Sequence, residues 1–170
     1  MPRIHVCSLA RLPDTVLATN ASHVLTLMKN ITKAPTPAGI AAHRHLRLDF
    51  ADITEPREGE VAPSPEHVEE ILRFVAGWDR ALPMVVHCYA GISRSTAGAF
   101  IAACQLMPER SEHDLARAIR EASHTATPNA RLVAFADKLL SRNGRMVAAV
   151  EAIGRGTDSF EGVPFHIDIV

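Results

Sequence analysis

The stretch between Pro83 and Pro108 constrains the fold most. Residues Met84–Cys88 read MVVHC, almost unbroken in apolar character. A strand of that kind cannot leave one face in water, so it belongs in the middle of a sheet covered on both sides. A short loop, YAGIS, follows, and then RSTAGAFIAACQLM, a helix so dense in small and apolar residues that it too reads as buried. Pro108 lies at or beyond its end. Buried strand, tight loop and buried helix in succession make an α/β unit.

The rest of the chain repeats that alternation. Strands are expected at Ile4–Leu9, His23–Leu27 and His45–Phe50, with a short helix over Leu12–Asn20. Thr32–Gly39 and Thr54–Pro63 hold the prolines and glycines of loops. Ser64 reads as an N-cap with Pro65 at the first helical position, opening a helix that runs through Arg80. Ser111 with Asp114 opens another, and Asn129 caps a helix reaching Ser141. A last helix follows Gly144 and ends at about Ile153. The expected fold is a single α/β domain with a central, mostly parallel sheet of four or five strands and helices on both sides. The 170 residues suit one domain and not two. The tail Gly156–Val170 shows no clear pattern and is expected to be an edge segment or partly disordered.

Composition excludes several functions. Eighteen basic residues face nineteen acidic ones, a net charge of −1, so nucleic-acid binding has no support from charge. No apolar run approaches the roughly 20 residues that cross a bilayer, and no signal peptide opens the chain, so no membrane partner is expected. The three cysteines, Cys7, Cys88 and Cys104, are too few and odd in number for a disulfide scaffold. They fit a reducing compartment, and a cytoplasmic location is expected. The nine histidines show no convincing metal-ligand spacing.

The chemistry concentrates in His87-Cys88-Tyr89-Ala90-Gly91-Ile92-Ser93-Arg94-Ser95. Backbone N–H groups at a helix N-terminus lack partners and carry partial positive charge, which makes an anion site. The loop Tyr89–Ser93 can curl its own N–H groups into the same cradle, with Gly91 permitting the bend. Arg94 adds a planar fork for two phosphate oxygens. The same field favours the thiolate of Cys88, an activated nucleophile beneath a phosphate cradle. The Ser95 hydroxyl can donate to that thiolate, and later to the departing sulfur.

These residues match the H-C-x5-R-[S/T] signature of the protein tyrosine phosphatases, and HCYAGISRS resembles the loop of the small dual-specificity branch. The resemblance runs from about His5 to Ser141 and includes the Pro128-Asn129 pair. It implies one phosphatase domain over residues 1–155, with 156–170 as tail. It implies hydrolysis of phosphotyrosine, with phosphoserine and phosphothreonine as further substrates, through a cysteinyl-phosphate and without metal or cofactor. The partner is then a phosphorylated protein or a small phosphoester.

The family mechanism also needs a general acid, usually an aspartic acid on an upstream loop. Asp49 and Asp52 are available, and Asp52 fits the register better. His87 resembles the histidine that orients the loop and is not cast as the base. Cys7 would protect Cys88 in a disulfide only if the fold brought them together. The variable positions Tyr89, Ala90, Ile92 and Ser93 include no base, which argues against an inositol lipid substrate. A phosphate-binding module without turnover is the alternative reading, and a sulfur transferase or arsenate reductase is a more distant one.

Overall fold

The computed structural model describes residues 1–170. Strand β1 (Arg3–Ser8) leads to helix α1 (Leu12–Thr19), strand β2 (His23–Leu27) and strand β3 (His45–Leu48). Helix α2 (Pro65–Ala76) precedes strand β4 (Met84–Cys88), and helix α3 (Arg94–Leu106) follows it. Helices α4 (Glu112–Ala122), α5 (Ala130–Leu139) and α6 (Arg145–Ile153) come next, then strand β5 (Phe165–Asp168). The five strands form one sheet in the order β3-β2-β4-β1-β5. All neighbours are parallel except β5, which runs antiparallel to β1. No helix is long and apolar enough to cross a membrane.

The apolar run of β4 is explained by its place between β2 and β1, where every residue is buried. Its side chains alternate between two cores. Met84 and Val86 join a core shared with α2, α3, α4, α5 and α6. Val85 faces the other way, into a small cluster with Cys7, Leu12, Val16 and Val24 under α1. Helices therefore cover both faces, but unequally. The small residues of α3 serve close packing. A Cβ on Gly98 would come within 2.8 Å of Leu27 Cδ1 and 3.1 Å of Val86 Cγ1, so this helix lies directly on the sheet.

Several boundaries differ from the sequence reading, among them the end of α5, at Leu139 and not Ser141. β1 begins and ends one residue earlier, because Leu9 leaves the ladder and donates its N–H to the Tyr89 carbonyl at 3.1 Å. β3 stops at Leu48, two residues before Phe50, because the Asp49 carboxylate turns away to accept from the N–H groups of Asn30 (3.2 Å) and Ile31 (3.4 Å). α2 ends at Ala76, where Gly77 caps it, and does not continue to Arg80. Its start is as read: the Ser64 hydroxyl accepts from His67 N–H, and His67 Nδ1 accepts from Ser64 N–H.

The C-terminal residues extend the sheet. Phe165, Ile167 and Ile169 point inward while His166 and Asp168 face solvent, a period-two alternation that covers the open edge of β1.

Candidate active site

Cys88 ends β4 and is 2% exposed. The chain then turns through Gly91, whose φ of 74° lies in the left-handed region. A Cβ there would sit 2.8 Å from the backbone of Cys7 and Ser8, so the loop presses onto the end of β1. Gly91 N–H donates to Cys88 Sγ at 3.2 Å. The Cys88 thiol lies 3.1 Å from Ser95 Oγ and donates to it; once the thiol is ionised the hydroxyl donates instead. The backbone N–H groups of Ala90, Ile92, Ser93 and Arg94 meet no protein acceptor. They open α3, whose 13 residues bring the positive end of the helix dipole to the same place. Tyr89 is 64% exposed, and Ala90, Ile92 and Ser93 are half-buried.

Arg94 is buried. One guanidinium arm, Nη1, donates to the Phe50 carbonyl at 3.0 Å. Its Nε–H is buried and has no partner. An unmade hydrogen bond on a buried charged group costs about 1–3 kcal/mol or more, so this donor is set for an acceptor that the protein itself does not provide.

The Phe50 bond also carries Asp52 to the loop. Ser93 Oγ donates to Asp52 Oδ1 at 2.8 Å, and Asn129 Nδ2 donates to the same oxygen at 2.9 Å. Oδ2 accepts no hydrogen bond from the protein. Asp49, the other candidate acid, is occupied in capping Asn30 and Ile31. Asn129 does more than the capping expected of it. It is buried, its Oδ1 accepts from Leu132 N–H at 3.0 Å, and its amide holds Asp52 and the Ile53 carbonyl. The Pro128-Asn129 pair was the only sequence signal of that position.

His87 turns its ring nitrogens to Thr26 and the Cys88 carbonyl and not to the loop N–H groups. Its Nδ1 lies 3.2 Å from the Cys88 carbonyl, which can only accept, so Nδ1 carries the proton. Its Nε2 then accepts from Thr26 Oγ1 at 2.6 Å. Thr26 Oγ1 in turn accepts from His45 Nε2 at 2.7 Å, and His45 Nδ1 accepts from Thr36 Oγ1 at 2.8 Å. The result is one directed chain of neutral groups from the surface to the loop that follows Cys88. Burial pushes the pKa of each imidazole down to about 4. Nothing in the sequence marked Thr26, Thr36 or His45 for this arrangement.

A stability effect follows. His87 has an ordinary pKa of 6.5 and a folded value of about 4. The unfolded chain takes up the proton first, so stability is intact above pH 6.5 and falls as the pH drops toward 4. The full loss from His87 is about 3 kcal/mol; half-buried His45 adds less in the same direction. Urea midpoints between pH 7 and 5 should fall more steeply in the wild type than in His87→Gln. Coincident slopes would mean that His87 is not held neutral.

Cys7 and Cys104 are buried and free. Burial pushes both thiols up to about 12, so neither is a ready nucleophile toward Cys88. Cys7 pairs in register with His87, while Ser8 lies beside Cys88. The segment after α6 also reaches the loop, with Gly162 N–H donating to the Ala90 carbonyl at 2.8 Å. Sequence reading missed that contact.

The family model described as protein-tyrosine phosphatase matches residues 47–127. Among solved structures, DUSP15 superposes with a TM-score of 0.63 at 19% identity, covering 89% of this chain and 92% of that one. PTPMT1 in complex with PI(5)P gives 0.60 at 18% identity, with 82% and 94% covered. The human tyrosine phosphatase-like serine/threonine/tyrosine-interacting protein gives 0.61 at 19%, with 82% and 92% covered. No curated protein sequence matches the chain. With a cysteine and an arginine framing a loop between buried strand and buried helix, the chain is similar to the protein-tyrosine phosphatases over residues 47–127 and has the fold of the small dual-specificity phosphatases among these structures.

Proposed function

We propose that the protein is a cysteine-dependent phosphoester hydrolase acting on phosphotyrosine, and also on phosphoserine and phosphothreonine. The observation that carries this reading is the buried, unpartnered Nε–H of Arg94 beside the loop that holds Cys88. A phosphoryl group on Cys88 would accept from that donor and from the unpaired N–H groups of Ala90, Ile92, Ser93 and Arg94.

The reaction runs in two halves. Cys88 Sγ, as thiolate, attacks phosphorus, and the bond from phosphorus to the ester oxygen breaks. Asp52 delivers its proton to that oxygen, so the leaving group departs as a neutral alcohol or phenol. Asp52, now a carboxylate, takes a proton from water, whose oxygen attacks the cysteinyl-phosphate. The phosphorus–sulfur bond breaks, and the Ser95 hydroxyl donates to the departing thiolate. No step needs a metal or cofactor. The reduced thiol the reaction needs fits a reducing compartment such as the cytoplasm.

The first test is phosphate release from a phosphotyrosyl peptide in the presence of chelator. Release is expected. Binding of the peptide without release would support a phosphate-binding module instead. The acid has its own test. Asp52→Asn should lower kcat on a phosphoseryl peptide by about 10²–10³-fold and spare para-nitrophenyl phosphate, whose leaving group needs little protonation. Full activity on the phosphoseryl peptide would remove Asp52 from the acid role.

A further inference from the structure

The C-terminal segment is bound tightly to the catalytic loop. Arg120 donates to the carbonyls of Ile153 and Gly154 at its start, and Thr157 N–H donates to His124 O at 2.9 Å. In the middle, Gly162 N–H donates to the Ala90 carbonyl at 2.8 Å, and Ser8 Oγ donates to Glu161 Oε1 at 2.5 Å. A Cβ on Gly162 would lie 2.7 Å from the Gly91 carbonyl oxygen, so the segment touches the phosphate loop itself. β5 then anchors its far end in the sheet.

Between these anchors Phe160 is fully exposed, at 102%. Its backbone is held on both sides, because Ser159 Oγ donates to the Glu161 carbonyl at 2.8 Å and Gly162 is tied to Ala90. Phe160 forms a groove of about 480 Å³ with Leu9, Ala10, Tyr89 and Glu161. A single exposed apolar residue is ordinary, but converging ones beside a site mark an interaction surface.

We propose that this groove binds an apolar side chain next to the phosphorylated residue of a peptide substrate, so that the C-terminal segment sets substrate choice. The inference rests on the hydrolase reading above. Continuity supports it: Tyr89, one wall of the groove, directly follows Cys88, and Leu9 N–H holds the Tyr89 carbonyl at 3.1 Å. An extended peptide advances about 3.3 Å per residue, so a neighbour of the phosphoresidue reaches this wall. Charge favours a peptide over an anionic lipid. Glu161 is the only charged residue lining the groove, and its carboxylate would repel a phosphoinositide surface.

The test uses two phosphotyrosyl peptides, identical except for Leu or Gly on both sides of the phosphoresidue. Wild type should prefer the Leu peptide by about tenfold in kcat/KM, mostly through KM. Phe160→Ala should bring the ratio near one, and Phe160→Leu should restore part of it. The same ratio should appear as Kd when Cys88→Ser, with and without Phe160→Ala, is titrated with fluorescent peptides. A ratio of one in the wild type, or a ratio that Phe160→Ala leaves unchanged, overturns the groove while the hydrolase stands. Preferred cleavage of phosphatidylinositol phosphate in vesicles, lost in Phe160→Ala, overturns it in favour of a lipid. A Kd ratio without turnover keeps the groove and removes the hydrolase. Neither turnover nor binding of any peptide overturns both.

Discussion

Cys88→Ser is expected to lower phosphate release by on the order of 10⁵-fold, with phosphopeptide binding nearly unchanged. Serine keeps the size and the donor–acceptor character of the side chain, so Gly91 N–H and Ser95 Oγ keep a partner. What is lost is ease of ionisation. A hydroxyl needs a nearby base to attack phosphorus, and His87 cannot be that base. Its nitrogens face the Cys88 carbonyl and Thr26, not the cradle. A discontinuous phosphate assay and a calorimetric titration with a phosphotyrosyl peptide check the two halves separately. Substantial turnover by the variant would mean that another residue is the nucleophile.

Arg94→Lys should cost on the order of 10³-fold in kcat/KM, with both parameters affected. A lysine keeps the charge but lacks the planar fork. Arg94 uses Nη1 on the Phe50 carbonyl and has Nε free, so one planar group faces two ways. An ammonium cannot hold both directions in that geometry. The Phe50 bond also tethers the segment bearing Asp52, so the loss should be greatest for phosphoserine, where protonation of the leaving group matters most. Thermal unfolding of the variant separates this effect from a general loss of fold. Near-wild-type kinetics would show that charge alone suffices and that the fork is not used.

Much of the fold was legible because its signals are local. β2 and β4 fall on the expected residues, since uninterrupted apolar runs bounded by turns leave little choice of boundary. Boundaries failed where a distant partner intervened. Asp49 ends β3 by bonding backbone from another segment, and no pattern within His45–Phe50 announces that. The tail, expected as an edge segment or partly disordered, does form an edge strand, and its alternation was hard to read for a different reason. FHIDI is a short alternation that becomes a strand only beside the open edge of β1.

The candidate site divides along the same line. The sequence by itself determined the cradle: Cys88, Gly91, Arg94 and Ser95 lie within eight consecutive residues, and a strand–loop–helix turn sets their relation through backbone geometry. Only the tertiary structure decided what surrounds it. Asn129 reaches Asp52 across 77 residues, Thr26 reaches His87 across 61, and Glu161 reaches Ser8 across 153. The last two pairs meet because the strand order β3-β2-β4-β1-β5 brings β2, β1 and the C-terminal segment beside β4, and the first because the segment after β3 meets the start of α5. Sheet order is settled by how the two cores pack, a global balance of burial that no single segment of the chain contains.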